Sequence, residues 1–213
     1  MSRPSRLDAL VLLGPTASGK TPLGQWLELD GLCGRPCVHF DFGDQLRQIV
    51  ARDCPDRIAS RAEIAFLRGV LLHGDLLEDE HFPLARRILQ AFLAQQSLSP
   101  QTQVVLNGLP RHAGQARALT SVVNVTAIVM LECSLEVVLA RIVANTGGDR
   151  THRTDDDALS VRRKLAIFRQ RTEPLCQHYE TQGARIVRLT VEADSTTESL
   201  YQALSQIYRR SGA

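Results

Sequence analysis

No apolar run in this 213-residue sequence approaches the roughly 18 residues that cross a bilayer, which sets a membrane-spanning role aside. Charge of one sign is also lacking: 25 Lys and Arg against 23 Asp and Glu leave a net +2. A broad basic face for nucleic acid is therefore not expected, and any functional charge must be local. The five cysteines, an odd number, are scattered. Cys33 and Cys37 lie close together, but no second Cys or His pair follows at zinc-site spacing. Reduced thiols in a cytoplasmic protein are the expectation. Internal repeats and low-complexity segments are missing too. The N-terminal stretch carries Arg3 and Arg6, but the apolar run behind it is short and leads into a glycine-rich turn. That run reads as a buried strand, not a signal peptide. An apolar fraction of 44% and a charged fraction of 23% suit one ordinary globular domain.

What is present alternates between strands and helices. Ala9 to Leu13 is continuously apolar, as a strand buried on both faces must be. A helix is expected from Lys20 to Glu28, with Pro22 tolerated in its first turn. Cys37 to Phe40 is a short second strand, Val104 to Leu106 a third, Ala127 to Leu131 a fourth and Ile186 to Leu189 a fifth. Ser60 and Glu63 form a capping box for a helix stopping near Gly74. Further helices are expected over Asp79 to Leu93, after Ser134, and through Lys164 and Phe168 with a break near Pro174. Ser195 and Glu198 read as a second capping box, opening the C-terminal helix. The alternation predicts an α/β fold, a five-stranded parallel sheet flanked by helices.

Between the first strand and its helix, Gly14-Pro15-Thr16-Ala17-Ser18-Gly19-Lys20-Thr21 matches G-x-x-x-x-G-K-[ST] in full. The glycines let successive backbone N–H groups turn inward as an anion nest. The helix start adds its positive end to the same point. Lys20 would reach the outer phosphates of ATP, and the Thr21 hydroxyl would ligate Mg2+.

Four further segments follow in one order. They are Asp41-Phe42-Gly43-Asp44-Gln45-Leu46-Arg47, Gly74-Asp75-Leu76-Leu77-Glu78-Asp79-Glu80, Asn107-Gly108-Leu109-Pro110-Arg111 with Gln115, and Arg153-Thr154-Asp155-Asp156. With the loop, they resemble adenylate kinase and the related nucleoside monophosphate kinases over nearly the whole chain. The resemblance implies a single P-loop kinase domain. Its core would be 1–43, 75–144 and 155–213, with an acceptor-binding insertion at about 44–74. A short lid without zinc would cover about 145–154. It implies reversible transfer of the ATP γ-phosphoryl group to a nucleoside monophosphate, AMP foremost, by a cytoplasmic monomer with no nucleic-acid or membrane partner. Gly14, Ala17, Ser18, Gly19, Lys20, Thr21, Pro22, Arg141 and Asn145 would hold ATP. Phe42, Arg47, Asp75, Leu76, Leu77, Gly108, Arg111 and Gln115 would hold the acceptor. Lys20, Arg111, Arg150, Arg153 and Lys164 would carry the transfer, and Thr21 and Asn107 would face Mg2+. Arginine suits Arg47 and Arg111, because a guanidinium grips phosphate oxygens bidentately.

Several positions depart from the family pattern. Asn107 stands where the resemblance implies a metal-facing aspartate, and an amide brings no negative charge. Asn145 and Lys164 each replace an arginine, and Phe42 replaces a threonine and is expected to stack on a base. These departures keep open a second reading, a nucleotide-binding module whose kinase activity has decayed. The same loop also occurs in tRNA prenyltransferases, but the other four segments do not fit those chains.

Overall fold

A computed structural model describes residues 6–148 and 157–210. Among them, β1 (Asp8–Leu13), β2 (Cys37–Asp41), β3 (Gln103–Asn107), β4 (Asn124–Glu132) and β5 (Arg185–Thr190) form one sheet. Its order is β2-β3-β1-β4-β5, and every pair is parallel. The expected α/β fold with a five-stranded parallel sheet is what the chain adopts. Each strand runs at least a residue past its apolar centre, so the expected segments were too short.

The two faces of the sheet are apolar because alternate side chains point to opposite sides. In β1, Ala9, Val11 and Leu13 join one buried cluster, while Leu10 and Leu12 join the other. β3 divides likewise, with Val104 and Leu106 on the first side and Val105 on the second. On the second side lie α1 (Lys20–Asp30) and α9 (Thr197–Arg210), through Leu23, Leu27, Leu200 and Leu204. On the first side lie α2 (Phe42–Arg52), α3 (Arg61–His73), α4 (Phe82–Ala94), α5 (Ala113–Leu119) and α8 (Leu175–Glu180).

Caps decide where several helices begin. Ser60 and Glu63 make the expected capping box of α3: Ser60 Oγ accepts from the Glu63 N–H, and the Glu63 carboxylate from the Ser60 N–H. α3 ends at Gly74, whose φ of 66° is the left-handed geometry glycine accepts without strain. The helix expected from Asp79 instead opens with a 3-10 turn, Asp79–His81. Pro83 then takes a place in the first turn of α4, where its missing N–H costs nothing. The C-terminal helix is capped one residue later than expected. Thr196 Oγ1 accepts from the Ser199 N–H, while Ser195 Oγ accepts from the Glu192 N–H and closes the preceding turn. α6 (Leu135–Ala144) opens on Ser134, whose Oγ accepts from the Val137 N–H. α7 (Ala158–Ile167) passes into a wider π turn over Phe168–Thr172, and the path breaks at Pro174 as expected. All five cysteines are free thiols. Among the described residues, no helix is long and apolar enough to cross a membrane.

Candidate active site

The site forms where the parallel strands end, the usual place for a ligand in an open α/β sheet. Leu13 ends β1 and Gly14 turns the chain at φ 153°. A Cβ there would stand 2.6 Å from Ser18 Oγ and 2.9 Å from the Leu131 carbonyl oxygen, so only glycine fits. Ala17 (φ 59°) and Gly19 (φ 94°) are also left-handed, which winds the loop round to the first turn of α1. Pro22 is the third residue of that helix, where no N–H is needed. Ser18 is fully buried under the loop.

The Lys20 ammonium bridges the loop. It donates to the carbonyls of Gly14 at 2.8 Å and Pro15 at 2.6 Å. The Thr21 hydroxyl donates to Asp41 Oδ2 at 2.7 Å. Asn107 Nδ2 reaches the same two partners, Asp41 Oδ2 at 2.8 Å and Thr21 Oγ1 at 3.0 Å. Asp41 and Asn107 are paired residues at the ends of β2 and β3, which is why they converge. Asp41 Oδ1 accepts from the Asp44 N–H at 3.0 Å and so caps α2.

One cleft of about 210 Å³ runs from this loop to the neighbouring helices. It is lined by Gly14, Ala17, Gly19, Lys20 and Thr21 of the loop, and by Phe42, Arg47, Asp75, Leu76, Leu77, Asn107, Gly108, Arg111, Gln115 and Lys164. Most of the residues singled out from the sequence therefore share one space. Asp41 shares it too, although no role was expected of it.

Arg111 is held by its backbone at both ends. Its N–H donates to Gln115 Oε1 at 2.7 Å, and its carbonyl accepts from the Thr172 hydroxyl at 2.8 Å. Burial pushes its guanidinium below its ordinary pKa, and the Asp41 carboxylate acts in the opposite direction. The group stays a cation regardless. Gly108 sits at φ 82° against Phe42, and the Leu109-Pro110 bond is cis. Arg47 is half-exposed, 3.5 Å from Asp44.

Other predicted residues are placed differently from expectation. Phe42 is only 5% exposed and belongs to the core, with its ring centroid 6.0 Å from that of Phe40. Gln115 is buried with both amide ends on backbone: Oε1 on Arg111, and Nε2 donating to the Leu77 carbonyl at 2.7 Å. Asp75 is ion-paired with Arg163 at 2.8 Å. Arg141 is buried behind the loop. It donates to the carbonyls of Ala17 at 2.9 Å, Glu192 at 3.0 Å and Ser195 at 2.8 Å. Asn145 ends α6 at φ 46°, a left-handed position where asparagine is favoured among non-glycine residues. Arg150, Arg153 and most of the expected lid lie outside the described residues.

The adenylate kinase of Xanthomonas campestris is 31% identical over 204 residues, an alignment that covers 92% of this chain and 99% of that one. The chain belongs to the adenylate kinase family. The adenylate kinase of Thermus thermophilus is 30% identical over 203 residues, covering 91% and 93% of the two chains. That of Synechococcus is 29% identical over 197 residues, covering 90% and 93%. No protein-family model matches the chain. Members of the adenylate kinase family are phosphotransferases, and the cleft has the charge layout such chemistry needs. Cationic side chains from several elements, Lys20, Arg47, Arg111 and Lys164, line it together with the phosphate loop.

Proposed function

We propose that this protein transfers the γ-phosphoryl group of ATP to AMP, reversibly, with Mg2+. One observation carries the reading: the phosphate loop, Gly108 and Arg111 line the same cleft. An oxygen of the AMP phosphate attacks the γ-phosphorus, the bond to the β–γ bridging oxygen breaks, and two ADP result. The groups involved need positioning and charge neutralisation, not a covalent enzyme intermediate.

Lys20 would exchange the loop carbonyls for phosphate oxygens of ATP, and the loop amides would bind the phosphate behind them. Arg111 would lie between donor and acceptor, fixed there by Gln115 and Thr172. Arg47 from α2 and Lys164 from α7 would hold the acceptor phosphate from two sides. In this reading α2 and α3 form the acceptor-binding insertion at about 44–74. A base edge reaching Gln115 would replace the Leu77 carbonyl, which keeps a partner in His112 Nε2 at 2.9 Å. The residues also fit the metal. Thr21 and Asp41 offer the hard oxygen donors that Mg2+ prefers, beside the loop. When bound, Mg2+ would supply neutralisation of the phosphate charge.

A coupled assay with ATP and Mg2+ against AMP, GMP, CMP, UMP and dTMP tests the proposal. AMP should be turned over with the highest kcat/KM. Preference for another monophosphate would move the acceptor assignment, and ATP binding without transfer to any of them would favour the decayed nucleotide-binding module.

A further inference from the structure

Building on the proposed nucleotide site, we infer that Asp41, at the end of β2, is the acid that faces the metal of the bound nucleotide. Asn107, at the end of β3, is then its positioning residue. P-loop enzymes hold Mg2+ with the loop's final hydroxyl and an acid at the end of a neighbouring strand. Here that hydroxyl is Thr21, and its side-chain contacts identify the acid. Asp41 Oδ2 is 2.7 Å away and Asn107 Nδ2 is 3.0 Å away. The two strands end level with one another, since Asp41 and Asn107 are the last pair of their register. Either strand can thus present a carboxylate to the same point, and in this chain β2 does so.

The orientation of Asn107 follows from its neighbour. Asp41 Oδ2 can only accept, so the side of the amide facing it must be Nδ2, which donates at 2.8 Å. Turning the amide over would set its oxygen against the carboxylate. Asn107 therefore cannot offer its oxygen to a metal-bound water without losing this bond. Asp41 is also held at its far oxygen, where Oδ1 accepts from the Asp44 N–H at the start of α2. The carboxylate is fixed with one oxygen on the helix and the other toward the loop.

Electrostatics explains why such an acid is tolerated. A carboxylate beside a phosphate loop repels the polyanion that the loop binds, unless a cation enters between them. The missing charge at position 107 is thereby made up one strand over. The departure at Asn107 is a relocation of the acid from β3 to β2.

The test measures metal binding on the ATP complex alone, without acceptor or turnover. Calorimetry would give ATP affinity with and without Mg2+, and the paramagnetic signal of Mn2+ would report metal affinity. Three variants are needed: Asp41→Asn, Asn107→Asp, and the double exchange Asp41→Asn with Asn107→Asp. Asparagine caps a helix as well as aspartate does, so α2 should be retained in Asp41→Asn. That variant should lose about 10–100-fold in Mn2+ affinity, the range for groups that support a metal through its bound ligands. Its metal-free ATP affinity should hold or rise. The double exchange should recover most of the loss by returning an acid to the same point from β3. Unchanged Mn2+ affinity in Asp41→Asn, or a double exchange that recovers none of the loss, would overturn the inference. A wild type that binds ATP and Mn2+ through Asp41 yet phosphorylates no monophosphate would support it while defeating the proposed function. A wild type that binds no ATP would defeat both.

Discussion

Replacing Arg141 by methionine tests whether this side chain braces the phosphate loop from behind. Its Nε holds the Ala17 carbonyl at 2.9 Å, and its Nη1 holds those of Glu192 and Ser195 at 3.0 and 2.8 Å. Those bonds tie the loop to the turn between β5 and α9. The contact is close: a Cβ on Gly19 would lie 3.4 Å from Arg141 Nη2. Methionine keeps the stem and its packing but donates nothing. A buried acceptor left without its partner costs about 1–3 kcal/mol. Three such carbonyls would sum to more, but water and local relaxation recover part of it, and a net loss of about 2–4 kcal/mol is expected. For a domain of this size that lowers Tm by roughly 5–15 °C. Urea unfolding followed by circular dichroism, with no nucleotide present, reads the effect directly. Arg141→Lys should be intermediate, because one ammonium cannot span all three carbonyls. If Arg141→Met unfolds at the wild-type urea midpoint and loses only ATP affinity, the guanidinium is a ligand contact and the bracing argument fails.

Lys20→Met should abolish tight ATP binding while leaving the urea midpoint nearly unchanged, because the bonds its ammonium makes to Gly14, Pro15 and Ser18 stay within the loop. Calorimetry on the folded variant decides it. Arg111→Ala should slow phosphoryl transfer by roughly 10³-fold or more, the scale of arginines at a transferring phosphate. ATP affinity should barely move, and its collapse with transfer intact would place Arg111 on the other substrate. Gly24→Ala should destabilise the fold by about 1–3 kcal/mol despite alanine's better helix propensity, because a Cβ there would overlap the His39 ring. His39→Ala in the same chain should remove the penalty, and a denaturant series on the single and double variants would show whether it does.

Local rules account for much of what could be read from the chain alone. The apolar run of β1, the glycines and Lys20 of the loop, and the capping box at Ser60 each work within a few residues. Their physics is therefore written in consecutive letters. The order of strands and helices constrained the fold class for the same reason, since strands buried on both faces need helices on both sides. Boundaries were less legible. The C-terminal helix had two plausible caps in Ser195 and Thr196, and only the path of the chain out of β5 decided between them.

The site itself divides along the same line. Lys20, Thr21 and Arg111 declared themselves by their neighbours in sequence. Arg141, by contrast, carries the same charge whether it meets a nucleotide or three backbone carbonyls, and only its burial behind the loop separates the two. Gln115 looks like an available amide until Leu77 and Arg111 are seen to engage both of its ends. Asp41 is the clearest case. Read along the chain, it is one acid after a short strand, and Asn107 is a lost charge. Parallel pairing of β2 with β3 sets these two residues side by side at Thr21, far apart in sequence and paired in the sheet. Residue types and local spacing determined which chemistry the chain can attempt. Which carboxylate serves it depended on strand register, a long-range property that no local stretch of sequence encodes.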